Sequence, residues 1–122
     1  MSYQAKSIRT FIGAKNYDES RTFYQELGFE EVIISPKMSL FKVSDNLNFY
    51  LQDYYHKKWC NNSMVFLEVN DVDECWDEIY GKGLQDKYKY VRFKPIKQFD
   101  WGREIFMHDP SGILWHFGQF NR

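Results

Sequence analysis

The spacing of apolar positions switches between two periods along this chain, and the switches occur in the same order twice. Tyr17, Ser20, Phe23, Tyr24 and Leu27 recur at helical spacing. Asn16 precedes them as an N-cap and Glu19 can reach back to it, while Gly28 follows as a left-handed C-terminal cap. Extended runs flank this helix: Ser7–Gly13 before it, and Glu30–Ser35, Met38–Val43 and Leu47–Gln52 after it. Ser35-Pro36-Lys37 and Ser44-Asp45-Asn46 supply the turns between them. Asp71 and Glu74 then repeat the cap, and Val72, Cys75, Trp76 and Ile79 repeat the stripe, with Gly83 in the place of Gly28. Met64–Val69 precedes this second helix, and Lys87–Phe93, Arg103–His108 and Ile113–Gly118 follow it. Asp109-Pro110-Ser111-Gly112 predicts a type I turn.

The pattern is β-α-β-β-β twice. It predicts an α+β domain over residues 1–122: module one about 7–52, a linker at 53–63, and module two about 64–120. Each module would form part of a curved mixed sheet around a cleft, with the helices on the convex side. Alternation assigns the faces. Ile8, Thr10 and Ile12 in the first strand, and Val65, Leu67 and Val69 in the fifth, suit packing against a helix. Arg9 with Phe11, and Met64 with Phe66 and Glu68, form the mixed set that suits a cavity.

Composition narrows the partners. A chain of 122 residues supports one domain with its own core. Its formal net charge of −1 gives no electrostatic case for nucleic acid or an anionic membrane. No apolar run nears the ~20 residues that span a bilayer. Met1–Lys6 lacks the basic-then-apolar order of a secretory leader, and Cys60 and Cys75 lack a CxxC spacing. The expectation is a cytoplasmic protein in a reducing compartment. Aromatics make up 20% of the chain, and Tyr54, Tyr55, Trp59 and Trp101 sit in polar loops, where they suit a cleft rim or a subunit contact.

The duplicated plan, with Phe23-Tyr24-Gln25-Glu26-Leu27-Gly28-Phe29 in one half and His108-Asp109-Pro110-Ser111-Gly112-Ile113-Leu114-Trp115 in the other, resembles the vicinal oxygen chelate superfamily. That group includes glyoxalase I, extradiol dioxygenases, fosfomycin-resistance enzymes and bleomycin-resistance proteins. The resemblance covers about Ser7 to Phe120 and does not by itself assign an activity. It implies metal ligands on the inward faces of four strands, at places that fall here on Arg9, Met64, His116 and Tyr50. Only His116 is a good divalent-metal ligand, so no metal and no cofactor are expected. The pattern is similar to the metal-free bleomycin-resistance branch, whose members form intertwined homodimers with two clefts between subunits. That branch has an aromatic in the linker, here Trp59, and a cleft tryptophan, here Trp101.

The candidate ligand-binding set is Arg9, Phe11, Tyr50, Trp59, Met64, Phe66, Glu68, Trp101 and His116. Each has a plainer role beside it. Arg9 either anchors a ligand anion or pairs with Glu68. His116 is a remnant ligand, an acid–base group or a satisfied core histidine. Trp101 stacks on ligand or plugs the sheet end, and Trp59 lines the cleft or a dimer contact. Trp115 is expected to pack on a helix or partner subunit, Cys75 to be core, and Cys60 to lie in a polar loop. Lys87–Lys94 alternates charges with aromatics, as a solvated strand face does. The implied function is binding of a planar, partly charged metabolite or antibiotic in a dimer cleft, as in antibiotic resistance by sequestration. The alternatives are a glyoxalase- or dioxygenase-like enzyme (a lyase or isomerase) using a metal or His116 and Glu68, and a protein-interaction module.

Overall fold

The computed structural model describes residues 3–121. Met1 and Ser2, the start of the segment read as lacking a leader, and Arg122 lie outside them. The elements run β1 (Phe11–Gly13), α1 (Tyr17–Leu27), β2 (Glu30–Ser35), β3 (Met38–Ser44), β4 (Leu47–Gln52), α2 (Lys57–Asn62), β5 (Met64–Glu68), α3 (Val72–Gly81), α4 (Leu84–Lys87), β6 (Arg92–Gln98), β7 (Gly102–His108) and β8 (Leu114–Phe120).

Two four-stranded mixed sheets result, ordered β1-β4-β3-β2 and β5-β8-β7-β6. In each, the first strand pairs parallel to the last and the other pairs are antiparallel. The βαβββ order and its duplication stand as the sequence predicts. The helix caps act as expected: the Asn16 side chain accepts from Glu19 N–H, and that of Asp71 from Glu74 N–H. Gly28 closes α1 at φ 113°, in the left-handed region a side chain would resist.

Several boundaries differ. The first strand is three residues long, and Tyr3–Thr10 has no regular structure, although Thr10 C=O still accepts from Tyr50 N–H. Of the predicted helix-facing set only Ile12 is buried, while Ile8 and Thr10 are exposed. The linker holds a short helix, α2, that buries Cys60, so this cysteine belongs to the core and not to a polar loop. Lys87–Phe93 is not one strand. Gly83, at φ 70°, lets the chain turn into α4, and β6 begins only at Arg92. Strand β6 runs on through Gln98, five residues past Phe93, where the predicted run ends. Pro95 is tolerated because β6 is an edge strand whose register shifts between Lys94 and Lys97.

The core lies on the helix side of both sheets and joins them. Phe23, Tyr24, Phe41, Phe49, Ile105, Met107, Trp115 and Phe117 are its bulk. At its centre Tyr24 OH donates to Asp109 Oδ2 at 2.6 Å, and Trp115 Nε1 donates to Tyr24 OH at 2.9 Å. Asp109 Oδ1 also accepts from the N–H groups of Ser111 and Ile113. This network ties α1 of module one to the β7–β8 turn of module two. Trp115 packs against Tyr24 of α1, one of the two placements, helix or partner subunit, that the sequence leaves open.

Candidate functional site

Strand alternation turns the mixed sets away from the core. Phe11, Met64 and Phe66 are 45%, 65% and 46% exposed, while Ile12 is buried and Val65 and Leu67 pack against the core. The opposite face of each sheet is therefore open in a single chain.

On the first sheet Phe11 stacks on Tyr50, with ring centroids 4.8 Å apart. The pairing register dictates this, because Phe11 stands opposite Tyr50 across β1 and β4. Arg9 lies over the same ring and donates from Nη1 to Tyr50 OH at 2.8 Å. Arg9 thus leans along the sheet. No Arg9–Glu68 ion pair exists among the described residues, and Glu68 is exposed on the other sheet.

The second sheet carries a broader aromatic floor. Trp101 lies 5.8 Å from Phe66 and 5.0 Å from Phe120, and Phe99 stacks parallel to it at 5.8 Å. Phe106 meets His116 edge-on at 5.1 Å. Gly118 makes the floor possible. A Cβ there would sit 2.5 Å from Phe66 Cζ and 3.2 Å from Trp101 Cη2, so the rings rest on backbone. Phe99, Phe106, Phe120, Gly118 and Glu104 were not singled out from sequence. The signal was present for Glu104 and Phe106, which share the alternation of Gly118 and His116 across β7 and β8.

His116 sits between two groups. Its Nδ1 donates to Glu104 Oε1 at 2.7 Å, and its Nε2 lies 3.5 Å from Met64 Sδ. Glu104 is 6% exposed, and it, not Glu68, is the carboxylate hydrogen-bonded to the imidazole. Trp59 is placed elsewhere: its ring covers Gly13, where a Cβ would lie 2.6 Å from Cζ3, and it tilts against Tyr54.

These residues do not suit a divalent ion. Among the described residues no three His, Cys, Asp or Glu side chains are grouped to hold one. At the four expected places Arg9 is bonded to Tyr50, and a thioether faces the free nitrogen of His116. The cysteines are not activated thiols either. Burial pushes Cys60 up, and pushes Cys75 up to about 11.

Cations border the second sheet. Arg92, Lys94 and Lys97 on β6 stand opposite His108, Phe106 and Glu104, and so share the open face. All three are exposed.

Solved structures share this architecture. The bleomycin-binding protein of Streptomyces verticillus, in complex with copper(II)-bleomycin, superposes with a TM-score of 0.79 at 19% identity, covering 97% of this chain and 98% of that one. The bleomycin resistance determinant encoded on transposon Tn5 gives 0.81 at 19%, covering 97% and 100%. TnmS3, an antibiotic-binding protein from Streptomyces sp. CB03234, gives 0.76 at 16%, covering 99% and 100%. At these identities the likeness is one of fold. No curated protein matches the sequence. The family model described as the glyoxalase/bleomycin resistance protein/dioxygenase superfamily matches residues 7–117, nearly the whole duplicated plan, and the chain belongs to that superfamily.

Proposed function

We propose that this protein binds a flat, anionic small molecule, a metabolite or an antibiotic, in clefts formed when two copies pair through their open sheet faces. The observation that carries this reading is the aromatic cluster of Trp101, Phe66 and Phe120, whose tilted rings meet over the backbone at Gly118. Rings held against each other with one face uncovered are a stacking surface for another ring. The cations of β6 beside it favour a negatively charged group. Phe11, Met64, Phe66 and Phe120 leave apolar surface exposed in a single chain, which a second subunit would cover. The similar proteins named above include two described as binding an antibiotic. Bleomycin is cationic, and the basic border makes it a poor match here. Nothing in this reading needs a metal, a nucleic acid or a membrane; no helix among the described residues is long and apolar enough to cross one.

The test is tryptophan-fluorescence quenching and thermal shift across a library of planar acids, with sedimentation equilibrium for the dimer. Hits should quench, and Trp101→Ala should weaken them by about tenfold or more. A chain that stays monomeric and is silent to the whole library sinks the proposal.

One observation favours a second reading, acid–base catalysis. Glu104 orients His116 through Nδ1 and leaves Nε2 on the open face beside Met64 Sδ, the arrangement of a carboxylate-positioned general base under a movable thioether. Turnover of a hit compound that is lost in His116→Gln, with binding retained, would establish it.

A further inference from the structure

A cleft of about 420 Å³ opens where both modules meet the β7–β8 turn. Lys15 reaches it from the β1–α1 turn, Asn61 from the connector, Lys89 and Arg92 from the approach to β6, and His108 and Ser111 from the end of β7 and its turn. It shares no residue with the aromatic floor. Tyr55 and Tyr90 add ring faces, with Lys15 Nζ 5.7 Å and Lys89 Nζ 5.3 Å from their centroids.

Its charge is one-sided. No carboxylate lines it, in a chain whose formal net charge is −1. Lys15, Lys89 and Arg92 take part in no ion pair among the described residues. Asp109, the nearest acid in sequence, turns inward to Tyr24 and to the N–H groups of Ser111 and Ile113. Grouped like charges repel, so the arrangement raises the free energy of the unliganded fold and an anion would relieve it. The walls are held across modules: Lys15 N–H donates to Ser111 Oγ at 2.9 Å, and Ser111 Oγ lies 3.3 Å from Ser20 Oγ. His108 senses the same field. Burial lowers its pKa first, and Arg92 and Lys94 lower it further.

We propose that this cleft is a second binding site, for a compact polyanion of the phosphate-ester or polycarboxylate class. Its volume suits a small ligand, and ammonium, guanidinium, hydroxyl and amide donors converge on it. This residue set spans both modules and, apart from Arg92 at the border of the second sheet, is separate from the stacking floor, so the site stands even if the floor binds nothing.

The experiment is calorimetric titration with pyrophosphate and with citrate at low ionic strength, alongside NMR titration of His108. Saturable one-to-one binding is expected, with the His108 pKa rising when the anion is bound. Lys15→Gln/Lys89→Gln should weaken it by about tenfold or more, since each lysine gives up a charge-assisted contact. Trp101→Ala should leave it unchanged. A preference for pyrophosphate assigns the phosphate class and a preference for citrate the polycarboxylate class. No saturable heat with either probe, equal binding by the double variant, or an unmoved His108 overturns the proposal. Circular dichroism of the double variant, whose changes lie on exposed side chains, confirms that it is folded.

Discussion

On the open face of module one, the outer strand presents Glu30, Val32 and Ser35; at the equivalent register places of module two stand Arg92, Lys94 and Lys97. The contrast continues inward. Tyr50 corresponds to His116, Leu40 to Phe106, Met38 to Glu104 and Gln52 to Gly118, as the matching strand pairings show. Only Phe11 and Phe66 keep the same residue type. Duplication therefore preserved the ladders and the helix side, while the open faces diverged, module two gathering its cations on the outer strand and carrying more aromatic rings, with Glu68 and Glu104 beside Gly118. The helices diverge in the other sense. Helix α1 buries Tyr17, Ser20, Phe23, Tyr24 and Leu27, whereas α3 buries only Val72 and Ile79. Module one supplies the anchor of the core, and module two supplies most of the chemistry.

The largest effect should come from cutting the anchor where the modules are joined. Asp109→Ala leaves Tyr24 OH and two buried N–H groups without their acceptor. The expected cost is about 3–5 kcal/mol, seen as a lower denaturation midpoint at unchanged m-value. A loss below about 1 kcal/mol would mean that the modules are held by apolar packing alone.

The same carboxylate gives a pH test. Burial pushes Asp109 up to about 6 from its ordinary 3.8, against the bonds from Tyr24 and the turn N–H groups that pull it down. A group with a raised folded pKa stabilises fully below the unfolded value, and that stability is lost as pH rises through the folded value. The wild type should therefore lose about 2 kcal/mol relative to Asp109→Asn between pH 4 and pH 6, out of about 3 kcal/mol over the full titration. The difference between the two proteins isolates this residue from Glu31, whose carboxylate runs the other way. Burial raises Glu31, but the bonds from Arg21, Ser39 and Gln25 outweigh it and hold it low. A flat difference curve would show Asp109 ionised throughout.

Gly118 and Gln52 are register equivalents, and substituting both separates floor from scaffold. Gly118→Val drives side-chain atoms into the Phe66 ring, at a cost of about 1–3 kcal/mol, and should abolish stacking ligands. Gln52→Val, half-buried on the open face of module one, should stay within about 0.5 kcal/mol and keep binding. Equal loss of binding in both would make the two faces functionally alike.

The elements that were legible in the sequence are those fixed by local rules. Asn16 and Asp71 cap, Gly28 terminates, and strand alternation put Phe11, Met64 and Phe66 outside and Ile12 inside. What escaped depends on contacts distant along the chain. Strand β1 is short because pairing with β4 begins only at Phe11, and nothing in Ser7–Thr10 itself states that limit. Cys60 looked solvated because its neighbours Lys57, Lys58 and Asn61 are polar, yet the turn of α2 points it inward. The role of Glu104 depends on β8 bringing His116 beside it, and that of Gly118 on two rings lying across it, contacts that no local pattern states.

The smallest predicted effect tests whether the duplicated helix starts remain equivalent. Asn16→Ala and Asp71→Ala each remove one side-chain acceptor, from Glu19 N–H and Glu74 N–H respectively, both at 3.1 Å. Each should cost about 1 kcal/mol. The second helix has an additional cap: Val72 N–H donates to Gln119 Oε1 at 2.9 Å, from strand β8. That bond survives Asp71→Ala and satisfies one orphan donor of α3, so Asp71→Ala should cost the less of the two. Adding Gln119→Ala should then cost more in the Asp71→Ala background than alone, as a double-mutant cycle by urea denaturation would measure. Strict additivity would mean that β8 merely touches the start of α3 and that the two helix starts are held in the same way.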